Sequence, residues 1–245
     1  MDVSAAGETV GVVRALWRYP VKSMLGERCA ALDLDSRGVA GDRLYAVRDA
    51  AGKFGSGKNT RRFCRIDGLL GFAARSVAAG PAVVFPDGRL FAAGDPALDA
   101  ALSAALGQPL SLAREVAVSH LDAGPVHLLT TAALAWLADR LPGSAIDERR
   151  FRPNLVIEAA GAAPIEHGWV GCVLAVGAAR LQVTGLAERC LMVDLPQGAL
   201  PRDGGILREL AGAALPGEPP APFGVYARVL APGPVLAGDA VQQLG

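Results

Sequence analysis

The stretch Arg180-Leu181-Gln182-Val183-Thr184 alternates polar and apolar side chains, the period of a strand with one face in a core. Val10 to Tyr19 is rich in valine, leucine and aromatics and stops at Pro20, which predicts a strand running into a fixed bend. Arg28 to Leu34 and Arg43 to Val47 read as short strands punctuated by Gly38 and Gly41, and Arg62 to Ile66 and Phe72 to Val77 as two more. Pro86-Asp87-Gly88 carries turn chemistry between Ala82 to Phe85 and Arg89 to Ala92, which predicts a hairpin. Further strands are expected over Phe151 to Glu158, Cys172 to Val176, Phe223 to Leu230 and Ala240 to Leu244. Helical spacing is rarer. Leu98, Leu102 and Leu106 share a face, opened by Asp95-Pro96 and closed by Gly107. Leu134, Leu137, Ala138 and Leu141 predict a second helix from about Thr131 to Leu141, and Gly204 to Ala211 a short third one. Many short strands with a few helices between them predict a β-rich α+β protein with a partly closed barrel, divided near residues 110 to 125.

Composition narrows the function. The chain has 245 residues, 51% hydrophobic, and formal net charge +0. That is ample for a core and gives no long-range attraction to nucleic acid or an anionic membrane, so any anion site must be local. The cysteines Cys29, Cys64, Cys172 and Cys190 are widely spaced, without a CxxC, which argues against a zinc ribbon, a cluster or a disulfide framework. No apolar window approaches the roughly 18 residues of a membrane span. The start of the chain carries Glu8 before any apolar run and lacks a leader pattern, so a soluble cytoplasmic protein is expected.

Gly52-Lys53-Phe54-Gly55-Ser56-Gly57-Lys58-Asn59 nearly spells a phosphate-binding P-loop, but Asn59 stands where a magnesium-holding hydroxyl is needed and the residues that follow look extended. A glycine-rich loop that lines an anion site is the alternative to a nucleotide module. Tyr19-Pro20-Val21-Lys22-Ser23 places an ammonium and a hydroxyl after a rigid bend. Gly41-Asp42-Arg43 starts a strand with a guanidinium, and Arg149-Arg150-Phe151-Arg152-Pro153-Asn154 sets three guanidiniums around one aromatic. Taken singly these are solvated surface; together they suit a compact phosphate-binding pocket in a neutral protein. Cys190 follows Glu188-Arg189. It can be buried filler, a nucleophile or a soft metal ligand, and Arg189 favours its thiolate.

These motifs, in this order and spacing, resemble the MOSC family, with bacterial MOSC proteins and the mitochondrial amidoxime-reducing component as the nearest kind. Phe223-Gly224-Val225-Tyr226 through Gly233 to Gly238-Asp239 is similar to the end of a MOSC domain, so the resemblance covers about Val10 to Leu244. It implies an N-terminal β-barrel-like domain over 8–118 packed on a MOSC β-barrel domain over 119–245, with a few helices. It implies molybdenum cofactor, with Cys190 as metal ligand and catalytic residue. The cofactor contacts it implies are Lys22, Ser23, Arg43, Thr130, Thr131, Arg152, Asn154, Glu188, Arg189 and Tyr226, the two threonines at a helix N-terminus suited to anions.

The activity it implies is two-electron reduction of N-hydroxylated small molecules such as hydroxylamines and amidoximes. No cluster-ligand cysteine follows Cys190, so an external flavoprotein or iron–sulfur protein is the expected electron donor. Neither nucleic acid nor membrane is an expected partner. The alternative is a sulfur carrier or cofactor shuttle that uses Cys190 as a persulfide. No histidine stands out as a general base.

Overall fold

The computed structural model describes residues 7–78 and 80–244; residues 1–6, on which part of the reading for a leader falls, lie outside it. The chain opens with β1 (Glu8–Arg18), β2 (Val21–Lys22), β3 (Glu27–Cys29), β4 (Ala31–Asp35) and β5 (Gly38–Val39). β6 (Tyr45–Asp49), β7 (Phe54–Ser56) and β8 (Phe63–Arg65) follow, then the hairpin strands β9 (Ala73–Val77), β10 (Gly80–Val84) and β11 (Leu90–Ala92). Helix α1 (Leu98–Leu106) leads to β12 (Leu110–Arg114). The second half holds β13 (Val126–Thr130), α2 (Thr131–Arg140), β14 (Leu155–Glu158), β15 (Val173–Val176) and β16 (Ala179–Glu188). It finishes with α3 (Ile206–Ala213), β17 (Pro222–Ala231), β18 (Gly233–Leu236) and β19 (Ala240–Leu244).

Seven strands close a barrel in the order β14-β13-β17-β16-β15-β19-β1, and β1 returns to β14. Closure leaves no exposed sheet edge around the ring. The alternation seen in the sequence is its cause. Ala179, Leu181 and Val183 of β16 point inward, while Arg180, Gln182 and Thr184 point away. Val13 and Leu16 of β1 join Leu128, Leu155, Ile157, Leu174 and Val225 in the barrel core. By hydrogen bonding, the first strand of the chain therefore belongs to the barrel built mainly by the second half. A second sheet runs β12-β6-β7-β8 with β2 paired to β6, and the β9–β11 hairpins and α1 complete its core of Val21, Met24, Val47, Phe72, Phe85, Leu98 and Leu102. Helices α2 and α3 cover the outside of the barrel through Leu129, Leu137, Phe151, Leu210 and Phe223.

Of the predicted boundaries that move, three have a plain local reason. α1 starts at Leu98 because Asp95 accepts from the Ala97 amide (2.8 Å) in a turn ahead of the helix instead of capping it. Gly107 does close it, with φ 71° in the left-handed region glycine tolerates. The strand expected from Phe151 begins at Leu155, since residues 148–150 form a 3-10 turn and Arg152 takes φ 56° before Pro153. β16 runs past Thr184 to Glu188, which carries Cys190 to the rim of the barrel.

Candidate active site

The two sheets meet at the Pro20 bend. β1 leaves the barrel at Arg18, and after Tyr19-Pro20 the chain pairs in parallel with β6 through Val21 and Lys22. The bend is held by the Tyr19 amide donating to Asp42 Oδ1 (2.7 Å) and the Arg43 amide donating to the Tyr19 carbonyl (2.7 Å). Among the described residues, three of the four non-glycine positions with positive φ lie here: Ser23 at 61°, Arg43 at 50° and Arg152 at 56°. Such backbones cost on the order of 1–3 kcal/mol each and persist where surroundings over-determine them.

That strain brings two guanidiniums together. Arg43 and Arg152 both lie over the buried Tyr19 ring, 4.8 and 4.3 Å from its centroid. The aromatic face supplies negative potential that like-charged neighbours otherwise lack. Arg43 donates to Asp42 and to the Arg152 carbonyl (3.1 Å), and Arg152 donates through Nη1 to the Met24 carbonyl (2.6 Å). Burial, reinforced by repulsion from Arg43, pulls the Arg152 guanidinium down to about 10, so it is still a cation at neutral pH. Its Nη2 is buried without a partner. Lys22 donates to the His120 carbonyl (2.9 Å) and to Asp122 (2.5 Å); burial lowers its pKa against the pull of that carboxylate.

Across one residue from the end of β16 stands Cys190. The Arg189 amide donates to the Ala221 carbonyl (3.0 Å), Arg189 Nη2 donates to the Phe151 carbonyl (2.7 Å), and Arg189 Nε is buried and unpartnered. The Cys190 carbonyl accepts from the Val193 amide (3.1 Å), which turns the chain so that the half-buried thiol lines the cleft. A cavity of about 300 Å³ joins Cys190 to Lys22, Ser23, Arg43, Arg152, Asn154, Glu188, Arg189 and Tyr226. Cys29, Cys64 and Cys172 do not line it; burial raises the thiols of Cys29 and Cys64, which donate only to the carbonyls of Glu27 and Lys53.

Thr130 and Thr131 are the two expected contacts that the structure leaves out of this cavity. Thr130 is fully buried, accepts from the Ala133 amide (3.0 Å) as the N-cap of α2, and donates to Glu166 (2.6 Å). Thr131 bonds to the Ala159 backbone and faces a separate groove with Trp17 and Arg149. Capping fixes the Thr130 side chain at the helix end, and the Ala159 backbone holds that of Thr131 away from the cleft. The Arg149-Arg150 pair also differs from expectation. Arg149 forks onto Asp147, and Arg150, though at the cavity wall, is a strut bonded to the Ala145, Val193 and Pro201 carbonyls.

The P-loop-like stretch leads from β7 into a parallel strand, β8, with no helix to receive phosphate, yet Ser56 and Lys58 line the cavity. Sequence reasoning missed His127, Asp122, Arg62, Phe63 and Met192, which also line it. Burial holds the His127 imidazole neutral, and its Nε2 has no partner. Nothing local marks these five; Arg61-Arg62-Phe63 beside the glycine-rich loop was the one available signal.

The donor set suits a chelated metal better than a bare one. Among the described residues no three His, Cys, Asp or Glu side chains cluster for a metal ion, so Cys190 offers one soft ligand and the rest would have to arrive with the ion. The unpartnered Arg152 Nη2, Arg189 Nε and His127 Nε2 around the same space fit a polar, anionic chelator.

Two sheets meeting at a strained, cationic cleft with a lone thiol on its rim define a barrel-based protein whose cleft suits an anionic ligand. Residues 10–77 match the MOSC N-terminal beta barrel domain and residues 115–242 the MOSC domain, and the chain belongs to the MOSC family, which is associated with molybdenum-cofactor binding. Among solved structures, the chain is similar in fold to the YUAD protein from Bacillus subtilis, at 14% identity over 94% of this chain and 93% of that one, TM-score 0.50. It also matches YiiM from Escherichia coli at 18% identity over 50% of this chain and 55% of that one, with TM-score 0.36. No curated protein matches the chain.

Proposed function

We propose that the cleft binds the molybdenum cofactor and that the protein is an oxidoreductase for small N-hydroxylated compounds, supplied with electrons by a separate reductase. The observation that carries this reading is the opening of Cys190 into the same cavity as Lys22, Arg43 and Arg152. The residues divide the work. Cys190 would supply the protein's ligand to the metal. Lys22, Ser23 and the stacked pair Arg43 and Arg152 would hold the phosphate, the guanidiniums by forked hydrogen bonds and the ammonium as a point charge. Asn154, Glu188, Arg189 and Tyr226 would contact the pterin.

Asn154 already spends its side chain on the His127 amide (3.1 Å) and the Trp17 carbonyl (3.2 Å), so it fixes the wall from which a contact would be made. When bound, the cofactor supplies two-electron redox chemistry, for which the balance is R–NHOH + 2e⁻ + 2H⁺ → R–NH₂ + H₂O. The chain's part is to orient the substrate and admit protons. His127, neutral and buried, keeps a third positive charge out of the deep wall beside Arg152 and Arg189.

The test is elemental analysis for molybdenum, with pterin measured as its fluorescent oxidation product, on protein made in a cofactor-competent host. Near-stoichiometric metal and pterin, with benzamidoxime reduced to benzamidine under a chemical reductant, is the expected result. Protein without either component would overturn the proposal. Labile sulfane sulfur on Cys190 in metal-free protein would assign the sulfur-carrier role instead.

A further inference from the structure

One part of the cavity adjoins the site just described and shares only Lys22 with it. The Phe63 ring carries three cations around it: Lys22 Nζ at 5.2 Å, Arg62 at 5.3 Å and Lys58 Nζ at 5.4 Å from the centroid. Their compensation is thin. Asp122 pairs with Lys22. Arg62 donates only to the carbonyls of Ser119 and Leu121, and its buried Nε has no partner. Lys58 Nζ makes no hydrogen bond or ion pair among the described residues. Three cations against one carboxylate is a local excess in a chain whose formal net charge is +0. Such an excess, inside a cavity with low-dielectric walls, focuses an attractive potential for anions.

The loop that carries Lys58 is docked beside the thiol. Ser56 Oγ lies 3.6 Å from Met192 Sδ, two residues beyond Cys190. At Gly57 a Cβ would sit 2.5 Å from Leu195 Cδ1, so the backbone there presses onto the segment that follows Cys190. The loop thus packs on the segment that follows Cys190, and Lys58, the Phe63 ring of β8 and Met192 line the same cavity as the thiol.

We infer that Lys58, Arg62 and Phe63 form a subsite for the anionic group of the substrate, and that the substrate class is a small, compact carboxylate with an apolar body. This rests on the proposed function, since it names what the same cleft receives beside Cys190. Phe63 and Met192 take the apolar body, and Lys58 meets the carboxylate as a point charge.

The experiment is calorimetric binding of benzoate and of its neutral counterpart benzamide to the purified, cofactor-loaded protein, in the wild type, Lys58→Ala and Lys58→Glu, with molybdenum measured in each preparation. Benzoate is expected to bind more tightly than benzamide and more weakly as salt is raised. Lys58→Ala should weaken benzoate by about 10-fold or more, the scale of a lost charged hydrogen bond, and Lys58→Glu by more still, with molybdenum content unchanged. Equal binding of the two probes, no benzoate binding, or full benzoate affinity in Lys58→Ala would overturn the inference. So would loss of molybdenum from the Lys58 variants, which would assign the lysine to the cofactor's phosphate. Absence of molybdenum from the wild type is a separate result and counts against the proposed function alone.

Discussion

The two walls of the cleft are built on opposite plans. The barrel wall offers His127 from β13, Asn154 whose amide donates to the His127 carbonyl, and Cys190 and Arg152 from the tight turns beside the strands. The wall from the smaller sheet offers Lys22, Arg43, Lys58 and Arg62, cations carried on short strands and loops and steadied by aromatic faces. One wall presets geometry; the other supplies charge. Loss of the thiol should therefore be all-or-none, and loss of a cation from either wall graded.

The sharpest test of that contrast is Cys190→Ala. It should abolish N-hydroxylated-compound reduction in an assay with chemical reductant, while the melting temperature stays within a few degrees, since a half-buried thiol at the rim contributes little to packing. Retained turnover would break the assignment of the barrel wall. Arg152→Ala should come next. It removes a charged hydrogen bond to the Met24 carbonyl and a cation from the cavity, lowering cofactor retention about 10-fold, as measured by molybdenum content. Arg152→Lys should fail to restore it, because an ammonium cannot reproduce the fork.

Tyr19 separates ring from hydroxyl. Tyr19→Leu removes the face shared by Arg43 and Arg152, at roughly 0.5–2 kcal/mol per cation–π contact, and should lower both stability and molybdenum content. Tyr19→Phe keeps the ring, drops a buried hydroxyl that has no partner, and should match or exceed the wild type in denaturant melts. Equal behaviour of the two variants would show that the aromatic face holds nothing.

The smallest effect is a pH dependence of stability in the segment between the walls. Glu115, bonded first to Arg37 and also to the His120 amide, is held at about 2, and burial lowers His120 to about 4. Both folded-state values lie below the unfolded ones. The His120 contribution is therefore complete above about 6.5 and declines as pH falls towards 4, and the Glu115 contribution is complete above about 4.5 and declines towards 2. Melting temperature should fall over both windows, and His120→Gln should flatten only the upper one.

Much of the fold was legible because alternation and helical spacing are local. The barrel strands around Arg180 to Thr184 and the helix near Leu134 are cases where burial follows the written pattern. The short pieces β2, β5 and β7, of two or three residues, carry no period to read. The site was legible where a motif names its own chemistry, as with Lys22, Arg43, Arg152 and Cys190. It was not legible where approach between distant segments decides. Phe63 matters through Lys22, brought from a distant segment to the nearby Lys58 and Arg62, and His127 through its position in a fully buried strand. Thr130 and Thr131 illustrate the converse, a helix start whose hydroxyls are consumed by capping and by the Ala159 backbone.

The pairing of Glu8 with Gln243 has a bearing on how the molecule comes into being. The ring cannot shut until β19 reaches β1 from the far side of the fold, so β1 stays unzipped along one side until then. Partners so remote in the chain make assembly slow and leave an apolar ribbon open to wrong company meanwhile. The cleft sits on the finished ring, which places ligand capture after its closure.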